Sequence, residues 1–232
     1  MTPAGLVVLF DVDNTLFDND RFKSDLAARL LEDFGEQGSA CYWKHYEALR
    51  EQSGYVDYLG ALQRLRDDLG ETPGLLRMSE FVLDYPFARN LYPDALAAVA
   101  AIGAFATPAV FSDGDIVFQP RKIQRAGIWD AVGARVEITV HKERSIDAMR
   151  VRFPATHYVM VDDKPNLLAA MKRTMGEALT TVFVRQGHYA ADAAGKAIEP
   201  APDRIVERIG ELVAQSAAWF VEGARAADPV AE

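Results

Sequence analysis

The stretch Leu6-Val7-Val8-Leu9-Phe10-Asp11-Val12-Asp13-Asn14-Thr15 decides how this chain is read. An unbroken apolar run stops abruptly at an acidic, turn-forming segment. Leu6–Phe10 is too short for a helix, and no polar residue interrupts it, so it reads as a strand buried on both faces, the kind that parallel sheets use. Asp11 to Thr15 then forms the loop at the carboxyl end of that strand.

The same grammar recurs further along. Pro108–Phe111 reads as a strand ending at Ser112 and Asp113, Arg135–Val140 alternates as a strand and is followed by Lys142, Tyr158–Val161 runs into Asp162 and Asp163, and Thr180–Val184 is one more apolar strand. Helical periodicity fills the gaps: Leu96, Val99, Ala100 and Gly103; Pro120–Ala126 closed by Gly127; Ile146, Met149 and Phe153; Leu167, Leu168, Met171 and Met175; and finally Ile205, Ile209, Leu212 and Val213. Strands alternating with helices predict an α/β fold, a Rossmann-like parallel sheet flanked by helices. From Asn19 to Tyr85 the period is helical throughout, with Phe22, Leu26 and Leu30 on one face and Tyr42, Tyr46 and Leu49 on another, punctuated by Gly35, Gly38, Gly54, Gly70 and Pro73-Gly74. Roughly three to five helices with a small core of their own are expected there. The division is therefore a core of residues 1–17 and 90–232 and an inserted all-helical domain of residues 18–89. The Ala-rich, charged tail from about Val221 is expected to fray.

Composition bounds the function. The 232 residues are 50% hydrophobic and 25% charged, which are globular proportions and exclude global disorder. The net charge is −9, from 34 acidic against 25 basic residues, so a general binder of nucleic-acid backbone is not expected. No apolar run approaches the roughly 18 residues of a membrane span. Met1–Phe10 does not read as a signal peptide, because no basic residue precedes its apolar run. A single cysteine, Cys41, excludes an internal disulfide framework and reads as inert. A soluble cytoplasmic protein without membrane or nucleic-acid partners is expected.

Chemistry enters where the strands end. In an open parallel sheet the carboxyl ends share one edge, where ligands bind. Asp11, Asp13, Ser112, Asp113, Lys142, Asp162 and Asp163 should therefore meet in space although far apart in sequence. Carboxylates crowded in this way repel one another, and a divalent cation relieves the repulsion. All-oxygen donors favour a hard ion, and Mg²⁺ is the one normally paired with a few carboxylates and a phosphate. Metal, lysine, hydroxyl and carboxylates together suit phosphoryl transfer.

Asp11-Val12-Asp13-Asn14-Thr15 resembles the first motif, DxDxT, of the haloacid dehalogenase superfamily. Ser112 in Val110-Phe111-Ser112-Asp113-Gly114 is similar to its second motif, Lys142 to its third, and Asp162-Asp163 to its fourth, in the family's order and spacing from about residue 6 to 185. The resemblance implies a phosphatase-type hydrolase in which Asp11 is the nucleophile, forming an aspartyl-phosphate, and Asp13 is the general acid and base. Ser112, with backbone N–H groups near Asp113, would hold phosphoryl oxygens, with Thr15 also in the substrate-binding set, and Lys142 would balance charge. Mg²⁺ would be bound by Asp11, the Asp13 carbonyl, Asp163, and Asp162 directly or through water. The helical insertion would be the family's cap, closing over a small phosphorylated metabolite. Family members that cleave carbon–halogen bonds lack the second aspartate, so Asp13 points to phosphate chemistry.

The chain departs from the family pattern in two places. No proline follows Lys142, which leaves Lys164 and Lys122 as alternatives for the active-site lysine. Asp162-Asp163-Lys164-Pro165-Asn166 lacks the further aspartate common there, and Asn166 is expected to replace it as a hydrogen-bonding neighbour. Residues 18–89 carry 9 Lys+Arg against 14 Asp+Glu, so no basic lid is evident, and Arg21, Lys23, Arg50, Arg64 and Arg89 are the candidates for a second anionic group. His45, His157 and His188 read as ordinary, His141 stands out as the neighbour of Lys142, and Tyr42, Trp43, Tyr46, Tyr55 and Tyr58 read as core. A phosphomutase or phosphotransferase would share every motif, and a non-catalytic binding module could occupy the same fold.

Overall fold

The computed structural model describes residues 4–221. The tail beyond Val221 lies outside the described residues. Six strands, β1 (Ala4–Phe10), β2 (Thr107–Asp113), β3 (Val136–Thr139), β4 (Ala155–Asp162), β5 (Leu179–Val184) and β6 (Arg204–Val206), form one sheet in the order β3-β2-β1-β4-β5-β6. Every neighbouring pair is parallel. β1 lies between β2 and β4, with Phe10 opposite Val110 on one side and Val161 on the other. This register puts the residues after Phe10, Phe111 and Val161 at one edge.

Alternation along each strand divides the apolar side chains between two layers. Val8, Phe10, Val110, Val159 and Val161 face one way, and Val7, Leu9, Ala109, Phe111, Tyr158 and Met160 the other. Both faces are covered by helices, which is why β1 and β4 read as continuous apolar runs. The helices are α1 (Asn19–Ser53), α2 (Tyr58–Leu69), α3 (Pro73–Asp84), α4 (Ala95–Ile102), α5 (Phe118–Arg125), α6 (Ile128–Ala131), α7 (Ile146–Arg152), α8 (Pro165–Met175), α9 (Gly187–Ala193) and α10 (Ala217–Val221). Among the described residues no helix is long and apolar enough to cross a membrane.

α1 to α3 lie between β1 and β2 in sequence. α1 is capped by the Asp18 carboxylate, which accepts from the Arg21 N–H at 2.9 Å, and α2 by Asp57, which accepts from Gly60 N–H at 2.7 Å. Gly35, at φ 65° and ψ −174°, breaks α1. Only glycine adopts that backbone without cost, and here it folds the second limb back on the first, so that Lys23 reaches Tyr46. The expected separate core for these helices is not what forms. Phe22, Leu26, Leu30, Tyr42, Tyr46 and Tyr58 belong to the same apolar cluster as Val8 and Phe10 of the sheet. Phe22 joins the two, with ring centroids 5.2 Å from Tyr58, 6.0 Å from Phe87 and 5.6 Å from Phe118.

The end of the chain corrects the sequence reading. Ile205, Ile209, Leu212 and Val213 do not make a helix. Ile205 lies in β6, paired to Phe183, and Ile209–Ala214 is a 3-10 turn. Pro200 and Pro202 bias the approach toward extended backbone. Asp203 then fixes the edge, accepting from the Thr181 N–H at 2.8 Å and from Lys172 Nζ at 2.9 Å. A three-residue strand followed at once by a turn mimics helical spacing.

Candidate active site

Asp11 is the first residue past β1, and its N–H donates to the Val161 carbonyl at 2.9 Å, extending the β1–β4 ladder by one rung. The loop then closes tightly: Leu16 and Phe17 N–H both donate to the Val12 carbonyl, and Asn14 takes a left-handed φ of 59°. Asn14 Oδ1 accepts from the N–H groups of Asn19 and Asp20 at 3.0 and 3.2 Å, which ties the loop to the start of α1. Thr15 is fully buried in this loop and does not border the cavity described below. From the far side Gln186 holds the same loop, donating to the Thr15 carbonyl at 3.2 Å while its Oε1 accepts from Ile209 N–H at 2.7 Å.

Lys142, in a 3-10 turn after β3, is completely buried. Its ammonium lies 2.6 Å from Asp11 Oδ1 and 2.5 Å from Asp162 Oδ2, and its backbone N–H donates to Asp113 Oδ1 at 2.9 Å. Asp13 is partnered separately, by an ion pair between its Oδ1 and Lys122 of α5, and its Oδ2 lies 3.4 Å from Gln119 Nε2. Gln119 also donates to Ser112 Oγ at 3.0 Å, and Ser112 Oγ lies 3.4 Å from Asp11 Oδ1. Lys164, the third lysine, sits over the Tyr189 ring at 5.1 Å. The three candidate lysines thus have different surroundings: the Lys142 ammonium touches Asp11 and Asp162, the Lys122 ammonium touches Asp13, and Lys164 meets the cluster through its backbone N–H, which donates to Asp162 Oδ1 at 2.9 Å.

Electrostatics follow from the burial. Burial pushes the Asp11 carboxyl up, but Lys142 and Lys164 outweigh it and hold the group below the usual carboxylate range. At Asp163 the same lysines are outweighed: burial, then the charges of Asp162 and Asp11, push it well above that range. Burial raises Asp162 despite Lys142, and lifts Asp113 to about 6. Lys142 is driven down by burial and up by Asp11, Asp162 and Asp113, and the carboxylates prevail.

Asp11, Asp162 and Asp163 each present a carboxylate oxygen within 4.8 Å of the others. Asp11 Oδ2 and both oxygens of Asp163 are buried without a hydrogen-bond partner. Orphaned buried carboxylate oxygens are costly, and a cation among them removes the cost. Asp11 gives Oδ1 to Lys142 and keeps Oδ2, whereas Asp162 gives Oδ2 to Lys142 and its Oδ1 accepts from the Lys164 N–H at 2.9 Å, so the free oxygens are those of Asp11 and Asp163. The donor set fits a hard divalent cation. Adding Mg²⁺ at about 100 times its dissociation constant is expected to stabilise the fold by about 2.7 kcal/mol. That raises the unfolding midpoint by roughly 5–10 °C in a chain of this size. Asp163→Asn should lose most of the shift. A calorimetric scan of wild type unmoved by Mg²⁺ would remove the case for a metal here.

The carboxylate cluster is buried beneath a cavity of about 290 Å³. The sheet side of its wall is Asp13, Asp113, Gly114, Gln119 and Lys164, and the inserted helices contribute Asn19, Lys23, Tyr46, Arg50 and Tyr58. Of the five basic candidates in the insertion, Lys23 and Arg50 border this space, and Arg21, Arg64 and Arg89 do not. Tyr46 and Tyr58 serve both as core and as cavity wall. Asn166 is exposed on α8 and contacts none of the site carboxylates, so it does not replace the absent aspartate; the first turn of α8 points it outward. His141 packs against Gly54, the left-handed residue that ends α1.

Sequence reading missed Gln119, Gln186 and His188. His188 reads as ordinary in the sequence, yet it borders the cavity and its Nδ1 lies 2.6 Å from Asp20 Oδ1. Gln119 had a usable signal, lying in the first turn of the helix that follows Ser112. Gln186 and His188 had none, because nothing in the sequence marks the loop after β5 as facing Asn14.

Sheet, crossovers and carboxylate-lined rim define a parallel α/β protein with a buried carboxylate group of the kind that holds a divalent cation. No family model matches the chain, and no curated protein matches it. Among solved structures, a protein of Burkholderia xenovorans described as a haloacid dehalogenase-like hydrolase is 53% identical, with a TM-score of 0.86 over 94% of this chain and 99% of that one. The chain belongs to the haloacid dehalogenase-like hydrolases. An L-2-haloacid dehalogenase of Xanthobacter autotrophicus shares the fold at 20% identity, with a TM-score of 0.56 over 89% of this chain and 96% of that one. The hydrolase YfnB of Bacillus subtilis, solved bound to magnesium, does so at 16% identity and a TM-score of 0.60 over 90% of this chain and 96% of that one.

Proposed function

We propose that this hydrolase is a Mg²⁺-dependent phosphatase acting on a small phosphate monoester through an aspartyl-phosphate. The observation that carries the reading is the pairing of two carboxylates on one loop: Asp11, beside Lys142 and the orphaned oxygens of Asp163, and Asp13, held separately by Lys122. A carbon–halogen bond needs no proton on its leaving group, whereas an alkoxide does, and in this reading Asp13 supplies it.

In the proposed reaction an Asp11 oxygen attacks phosphorus, the P–O bond to the alcohol breaks, and the leaving oxygen takes a proton from Asp13. Water then gives a proton to Asp13 and attacks the same phosphorus. The bond to Asp11 breaks, inorganic phosphate leaves, and both carboxyl groups return to their starting states. Ser112 Oγ donates to a phosphoryl oxygen, and Lys142 keeps Asp11 ionised. Mg²⁺ held by Asp11, Asp162, Asp163 and the Asp13 carbonyl would offset the charge gathered on the phosphoryl oxygens.

A cavity of about 290 Å³ under helices α1 and α2 favours a small phosphorylated metabolite over a macromolecule. Hydrolysis of an aryl phosphate with and without Mg²⁺ tests the reading, with halide release from 2-chloropropionate as the competing assay. Halide without phosphate would overturn it in favour of dehalogenation, and retained phosphate with an isomerised product would mark a mutase. Ser112→Ala removes one donor and is expected to lower kcat by about 10²-fold, less than loss of either aspartate, as steady-state rates would reveal.

A further inference from the structure

Because Gly35 folds α1 back on itself, both ends of that helix face the cavity. Asn19 and Lys23, one turn apart, come from the first limb, and Tyr46 and Arg50, one turn apart, from the second. The acidic groups on the sheet side of this space are engaged. Asp13 pairs with Lys122, Asp113 accepts from the Lys142 N–H, and Asp115 accepts from the N–H groups of Val117 and Phe118.

The cationic side is not balanced in the same way. Lys23 is half-buried, with its ammonium 5.3 Å from the centroid of the Tyr46 ring, and it makes no ion pair among the described residues. Arg50 reaches the Tyr189 hydroxyl at 3.3 Å, and its pairing with Glu47, at 3.5 Å between exposed side chains, is a weak claim on its charge. An acidic protein whose insertion has more carboxylates than cations nonetheless turns Lys23 and Arg50 into the chamber that the insertion shares with the sheet, across from Lys164. An ammonium partly stripped of water and left without a counter-ion is destabilised, and a ligand anion relieves it.

Building on the phosphatase reading, we infer that the alcohol portion of the substrate carries a second anionic group, a carboxylate or a phosphate, which Lys23 and Arg50 hold at the end of the cavity away from Asp11. The buried, unpartnered Oδ1 of Asn19 lies in the same wall and accepts from a hydroxyl between the two ends. Lys23 thereby selects substrate by charge without taking part in bond breaking.

The test uses phosphonates, which cannot be hydrolysed, with chains of two to four carbons ending in a methyl, a carboxylate or a second phosphonate. Their binding to the full chain with Mg²⁺ is followed by titration calorimetry. For at least one chain length an anionic end should bind about tenfold tighter than the methyl end. Lys23→Met should shrink that ratio to within about twofold, and Lys23→Arg should restore it, with each variant's fold checked by its circular dichroism melt. A preference for carboxylate over phosphonate, or the reverse, identifies the second anion. Equal binding of methyl and charged ends, or a charge preference that persists in Lys23→Met, overturns the inference. The two readings fail separately. Phosphate release from the matching esters with no charge preference would leave the phosphatase standing without this subsite, whereas a Lys23-dependent preference without phosphate release would keep the subsite and remove the phosphatase.

Discussion

Aryl phosphate hydrolysis by Asp11→Asn should be at least about 10³-fold slower than by wild type, because the amide cannot form the covalent intermediate. The substitution is nearly isosteric, and Lys142 keeps Asp162 at 2.5 Å, so the fold should survive. A rate equal to wild type, measured on protein with a native circular dichroism melt, would sink the aspartyl-phosphate reading. Asp13→Asn should be severely impaired for a different reason: its loss leaves the alkoxide without a proton donor and the water without a base. The two variants separate in the first turnover with an activated aryl ester, whose leaving group needs little proton assistance. There Asp13→Asn should still release one equivalent of phenol quickly, and Asp11→Asn should not.

The second large effect is on stability. Lys142→Met keeps the length and packing of the side chain and deletes its charge. Among the described residues, Asp11 and Asp162 then lose the one ammonium that forms an ion pair with them. Removing one partner of a buried ion pair costs about 3–5 kcal/mol, because the other is left charged in a poor solvent. For a chain of this size that lowers the unfolding midpoint by roughly 6–20 °C, which differential scanning calorimetry measures directly. The sign of the pH dependence follows. Without Lys142 the folded-state pKa values of these carboxyls rise above their unfolded values. Stability is then fully present below the unfolded pKa of about 4 and is lost as pH rises through the folded pKa values. The deficit relative to wild type should therefore be largest near neutrality and shrink in acid. A midpoint unchanged at neutral pH would mean that the buried lysine is not what makes the carboxylate cluster tolerable.

The residue types that these predictions rest on were legible before the fold was known. Leu6–Phe10 followed by Asp11 and Asp13, and Tyr158–Val161 followed by Asp162 and Asp163, announce buried strands and strand-end carboxylates, since an apolar run that short has few other uses in water. The parallel sheet followed from strand–helix alternation, and it is the sheet that forms. Less visible was β6, whose three residues and adjoining turn space their apolar side chains as a helix would.

Local pattern determined the strand order's raw material, the helical insertion and the acidic groups that converge, because burial of apolar runs and the fixed polarity of parallel strands act over a few residues at a time. Only the tertiary structure decided which lysine meets which aspartate, that Gln119 and Gln186 brace the Asp11 loop, and that Lys23 and Arg50 share a chamber while Arg21, Arg64 and Arg89 do not. Those pairings depend on where elements distant in sequence are packed, and on a single glycine, Gly35, that reverses α1. Side chains of one type carry no mark of their partners until the core has set the distances between them.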